Sequence, residues 1–99
     1  MLKVSSISDP TAAGGAIANG IREKGKIELQ VIGPRAVNQA VKAIAIARGY
    51  LAASGIDLYF VPGFTTVRVG EKEEEKTAIQ FIVKPRHDLS VKNSHPGWP

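Results

Sequence analysis

The stretch from Pro34 to Leu51 constrains the fold more than any other part of the chain. Gly33-Pro34 opens it and Ser54-Gly55 closes it. In between, Val37, Ala40, Val41, Ile44, Ala47 and Leu51 recur at helical spacing and form a wide apolar face. A face that wide must be buried against another layer, so this segment predicts a long helix laid on a sheet.

The flanking segments supply that sheet. Leu2 to Ser6 alternates apolar and polar residues and reads as a short strand, stopped by Ser8-Asp9-Pro10. Asp9 is placed to cap a helix and Pro10 suits its first turn. Ala13, Ile17 and Ile21 then mark an amphipathic helix with a narrow apolar stripe, ended by Gly25. Its small residues (Gly14, Gly15, Ala16, Ala18, Gly20) weaken helix propensity but permit close approach to a sheet. Ile27, Leu29, Val31 and Ile32 make a second strand. Two more β-rich runs, Ile56 to Val69 and Thr77 to Val83, flank a solvated hairpin loop, Gly70 to Lys76. Pro62-Gly63 inside the third strand predicts an edge position or a bulge. The order is β-α-β-α-β-β: an α/β fold of the two-layer α+β kind, with a mixed four-stranded sheet and two helices on one face. The other sheet face, or the last hairpin, is expected to remain open for self-association. Residues 1–86 form the predicted domain, and 87–99, poor in apolar residues and holding two prolines, are expected to be a flexible tail.

Ninety-nine residues suffice for one core, and 43% apolar content is too high for intrinsic disorder. The absence of cysteine removes disulfides, thiolate nucleophiles and cysteine zinc sites. Met1-Leu2-Lys3-Val4 enters an alternating stretch and not an apolar signal core, and no run approaches the roughly 18 apolar residues of a membrane span. The expectation is a cytoplasmic protein without membrane contact. The net charge of +4 is concentrated in residues 1–50, where seven Lys/Arg face three acids. Such a bias is compatible with a polyanionic partner.

No catalytic constellation emerges. Gly20-Ile21-Arg22-Glu23-Lys24-Gly25-Lys26-Ile27 has the spacing of a phosphate-binding loop, but Ile27 replaces the required Ser or Thr. The segment also joins a helix to a strand, the reverse of what that motif needs. It reads as a helix end with basic residues complementing the dipole. His87 and His95, the only histidines, fall in the tail; with Asp88 they suggest at most a loose metal site. Ser5, Ser6 and Ser8 lack a rigidly held histidine, and Glu71, Glu73, Glu74 and Glu75 read as solvated loop charge. The chain is expected to be no enzyme and to need neither metal nor cofactor.

The long helix is more informative. Arg35, Asn38, Gln39 and Lys42 fall within one arc of roughly 100° opposite the apolar face. Guanidinium and ammonium groups serve phosphate contact, and amides serve base edges, although an ordinary solvated face reads the same way. The arc continues to Ile46 and Gly49, which are not polar; with Tyr50 they suggest a surface covered by another subunit.

Here the sequence resembles a known family. Ile32-Gly33-Pro34-Arg35-Ala36-Val37-Asn38-Gln39-Ala40-Val41-Lys42-Ala43-Ile44-Ala45-Ile46-Ala47-Arg48-Gly49 closely resembles the matching stretch of the stage V sporulation protein S family. The likeness continues through Ser54 to Leu58, Pro62 to Thr65, Lys76 to Ile79 and Val83 to Arg86. That family is similar to the Alba proteins, with the same β-α-β-α-β-β order. The resemblance implies a dimeric nucleic-acid-binding module with a regulatory role in development, around septation and coat assembly. Two departures stand out. The loop Ser5-Ser6-Ile7-Ser8-Asp9-Pro10 lacks the lysines with which Alba proteins meet phosphate, and the hairpin, basic in Alba proteins, here carries four glutamates against Lys72 and Lys76.

Two functions follow as expectations. One is a homodimeric DNA- or RNA-binding regulator using Arg35, Asn38, Gln39, Lys42 and Arg68. The other is a protein-interaction or assembly module whose helix is merely solvated.

Overall fold

The computed structural model describes residues 1–86, so the expected tail and both histidines lie outside the described residues. The elements follow the anticipated order: β1 Leu2–Val4, α1 Pro10–Lys24, β2 Ile27–Val31, α2 Pro34–Ala52, β3 Leu58–Val69 and β4 Glu74–Pro85. The strands lie in the order β1-β2-β4-β3. β1 and β2 are parallel; β4 is antiparallel to both β2 and β3.

Local chemistry accounts for the boundaries. The Asp9 carboxylate accepts a hydrogen bond from the Thr11 N–H at 3.1 Å, and Pro10 occupies the first turn of α1. Gly25 adopts φ 77° and donates its N–H to the Ile21 carbonyl, closing the helix in the left-handed conformation that glycine adopts without strain. β1 is shorter than the expected Leu2 to Ser6. The Ser8 hydroxyl accepts from the Ser5 N–H at 2.9 Å, and the Ser8 N–H donates to the Ser5 carbonyl at 3.1 Å, so the chain turns before a longer ladder can form.

The hairpin departs from expectation in the opposite sense. Pairing is continuous from Leu58↔Pro85 to Val69↔Glu74, with Arg68 opposite Glu75 and Val67 opposite Lys76. Glu74, Glu75 and Lys76 are strand residues, and the turn shrinks to Gly70 through Glu73. Backbone pairing with β3 makes these residues strand, only Glu75 has a charged partner opposite it, and Gly70 and Glu73 supply the two positive-φ positions of the turn. β3 is the edge strand that Pro62 requires, and the unbroken register shows no bulge there.

Ile17, Ile21, Leu29, Val31, Leu51 and Val83 are wholly inaccessible and hold the two layers together. The Phe60 and Phe81 rings lie 4.7 Å apart beside them, tilted by 39°. The buried face of α2 is not the one that periodicity suggested. Ala36, Ala40, Ala43, Ile44, Ala47 and Leu51 are buried, Val37 is half-buried and Val41 is exposed. The buried stripe is rotated by about 50°, at about 100° per residue, toward α1. The cause is close helix contact: a Cβ on Gly14 would stand 2.7 Å from Ile46 Cγ2 and 3.0 Å from the Ala43 carbonyl oxygen. Alanines on α2 face glycine on α1, so the helix backbones approach more closely than larger side chains would allow. Ile46 is thereby half-buried within the chain, where exposure had been expected.

Candidate nucleic-acid interface

α2 begins at Gly33, which offers no side-chain cap, and its first turn carries no acidic residue. The uncapped N–H groups and the helix dipole therefore leave this end electropositive. Arg35, Asn38 and Lys42 stand exposed along the same end. Among the described residues none of the three enters an ion pair or a side-chain hydrogen bond.

Gln39 behaves differently. Its Nε2 donates to the Ser8 carbonyl at 2.9 Å, partly buried. The amide expected to face a ligand instead ties the β1–α1 loop to α2. Serine hydroxyls from that loop, and the 91% exposed Ile7, are held beside the basic end of the helix. That bond holds the loop against α2.

Arg68 also departs from expectation. It lies on the hairpin, four rungs beyond the last β2–β4 pair at Val31↔Ile79. Its guanidinium faces Glu73 at 3.7 Å and Glu75 at 3.6 Å, so the local charge is not free cation but a solvated cluster of both signs. Of the expected interface residues, Gly49 and Tyr50 are exposed, and the Tyr50 carbonyl accepts a 3.5 Å hydrogen bond from Arg22.

A second polar cluster lies at the other end of α2 and was not anticipated. Arg48 donates to Asp57 Oδ1 through Nε at 2.8 Å, and its Nη2 lies 2.8 Å from the same oxygen. Arg86 Nε reaches Asp57 Oδ2 at 3.2 Å, the Leu58 N–H donates to Oδ1 at 2.9 Å, and the Arg86 N–H donates to the Asp57 carbonyl at 2.8 Å. One carboxylate thus fastens the end of α2, the start of β3 and the end of β4. The Arg48 hydrogen bond holds the Asp57 carboxyl below its usual range; partial burial opposes this, and the Leu58 N–H and both guanidinium charges reinforce it.

A depressed carboxyl contributes stability that is full above the unfolded value of about 3.9 and is lost as pH falls through the lower folded value. Asp57→Asn should therefore lower stability at neutral pH by on the order of 0.5 kcal/mol, the scale of exposed pairs. It should also flatten the loss below about pH 4. Urea melts at pH 7 and pH 3 check both; an unchanged pH dependence in the variant would refute the assignment.

The described residues hold no helix long and apolar enough to cross a membrane. The fold order, the Gly33–Gly49 stretch on α2 and the β3–β4 hairpin all lie within the span over which the sequence matches a family of known description. Over residues 1–86 that match is to Stage V sporulation protein S (SpoVS), and the chain belongs to this family, with a role related to sporulation.

Proposed function

We infer that the chain is a non-catalytic nucleic-acid-binding regulator that acts as a homodimer in the cytoplasm. One observation carries the reading: Arg35, Asn38 and Lys42 stand unpaired among the described residues at an uncapped, acid-free helix N-terminus. Cations and backbone N–H groups that have no internal partner are what a phosphate backbone uses. The serine-rich β1–α1 loop, tied down by Gln39, adds hydroxyl donors beside them. A gel-shift series with DNA and RNA, single- and double-stranded, from low to moderate salt tests the reading. Binding that weakens steeply with salt supports it, and no binding to any of the four at low salt overturns it.

Dimerisation is supported by large apolar side chains left uncovered. Phe64 is 83% exposed and Val41 41% exposed. Phe64 pairs with Ile79 on the helix side of the sheet, and Val41 lies on the outer flank of α2. Gly49 is also exposed on α2, whereas Tyr50 lies about 180° around the helix from Val41, at about 100° per residue, and Ile46 is already engaged by α1. Phe64→Glu is expected to convert a dimer to a monomer in gel filtration with light scattering. A wild-type chain that elutes as a monomer, or a variant that stays dimeric, would refute this surface.

A further inference from the structure

Among the described residues the helices cover one face of the sheet and leave the other bare, and the register defines which residues lie on that face. One row crosses all four strands: Lys3, Gln30, Gln80 and Gly63 stand side by side on β1, β2, β4 and β3. The next row is Glu28, Ile82 and Val61, and the one after it pairs Lys84 with Tyr59. In the other direction come Ala78, itself buried, with Thr65, then Lys76 with Val67, and finally Glu74 with Val69 at the tip. Leu29, Val31, Phe81 and Val83 point the opposite way into the core, so this parity is set by burial.

The face is not an ordinary solvated one. Tyr59 is 39% exposed and Val61 51% exposed, side by side with the half-buried Ile82. Gly63 leaves a flat gap beside Val61, with nothing within 4 Å of where a Cβ would stand. Lys3 and Lys84 flank this apolar patch. The acid nearest its middle, Glu28, is engaged by Gln80, whose Nε2 donates to Oε2 at 2.9 Å. That bond fixes the Gln80 amide and leaves its oxygen free to accept.

We propose that this bare sheet face binds single-stranded nucleic acid, with Tyr59 stacking on a base, Gln30 and Gln80 facing base edges, and Lys3 and Lys84 meeting phosphates. The proposal rests on the nucleic-acid reading and adds which form is bound and where. An aromatic ring on an open sheet accepts any base face, and amides beside it reach donor and acceptor edges that pairing would otherwise occupy. Geometry selects the single strand. Four strands at about 4.8 Å spacing span about 14 Å before side chains are added, wider than the roughly 12 Å major groove of a duplex. The patch from Lys3 to Lys84 has room for about two or three nucleotides, as on other sheet platforms.

The experiment uses the full chain and fluorescence anisotropy at low salt with labelled oligouridine and oligothymidine 10-mers and a 20-base-pair duplex. Tyr59→Ala is expected to weaken single-strand binding about 5- to 100-fold, the range for one stacked base, and to leave duplex binding within about twofold. Tyr59→Phe keeps the ring and should stay within about threefold of the parent. Gln30→Ala with Gln80→Ala should weaken single-strand binding without altering the far-ultraviolet circular dichroism spectrum. Single-strand affinity unchanged by Tyr59→Ala, or duplex binding without single-strand binding, overturns this proposal and leaves the broader reading standing. A change of oligomeric state in Tyr59→Ala, with binding intact, assigns the face to protein contact and likewise overturns it. No binding to any oligonucleotide overturns both readings together.

Discussion

Replacing Arg35 and Lys42 together with alanine should lower nucleic-acid affinity on the order of 50-fold near 0.1 M salt. Each phosphate contact adds about 0.9 to the slope of log affinity against log salt, so two contacts at 0.1 M amount to roughly 60-fold. The paired measurement is the slope itself, which should fall by close to 2 per protomer engaged. Both side chains are exposed on α2 and lack internal partners among the described residues, so their removal should leave the melting temperature within a degree or two. Unchanged affinity with an unchanged salt slope would remove α2 from the interface. It would favour the alternative of an assembly module whose helix face is merely solvated. Asn38→Ala separates charge from readout: the loss should depend on oligonucleotide sequence and not on salt.

Leu29→Ala should cost about 2–5 kcal/mol, the largest effect on stability expected from any substitution considered for this chain. Leu29 is wholly inaccessible at the centre of β2, paired in register with Leu2 on one side and Phe81 on the other. Removing its branched end leaves a cavity between the sheet and both helices, and neighbours in a close-packed core relax only partly into it. A domain of this size has about 5–15 kcal/mol in total. The melting midpoint should therefore fall by roughly 8–40 °C, at about 4–8 °C per kcal/mol. Urea melts at a fixed protein concentration, with an unchanged denaturant slope, check the value. A loss under 1 kcal/mol would show that this layer is not the core.

Element order was legible because each element carries its own signal. Asp9-Pro10 and Gly25 bracket α1, the period of α2 is long, and alternation marks β2. What escaped depends on partners distant in the chain. Periodicity placed Val41 inside and passed over Ala36 and Ala43, because it sees one helix and not the second helix that turns it. Ile46 reads as an orphan because Gly14, which lies beneath it, is distant in the chain. Glu74 to Lys76 read as loop because their charges match a solvated turn, yet their partners on β3 make them strand. Gln39 has the chemistry of a reader, and its bond to the Ser8 carbonyl, 31 residues away, has no sign in the sequence. The Asp57 cluster gave no signal at all: Arg48 and Arg86 stand 9 and 29 residues away from it, on opposite sides in sequence. The polar side of α2 was legible at Arg35, Asn38 and Lys42, where local spacing alone decides exposure.

The edge position of Pro62 bears on how copies of this chain can add to one another. In the middle of β3, Pro62 presents no N–H, so the outward ladder lacks a donor where an incoming strand would need one. The opposite edge, β1, has only three residues to offer. Both borders are thereby poor templates for strand addition, one interrupted at Pro62 and the other short. Association through these borders therefore has less backbone to use, and the two broad sides, where side chains decide what binds, gain in relative weight.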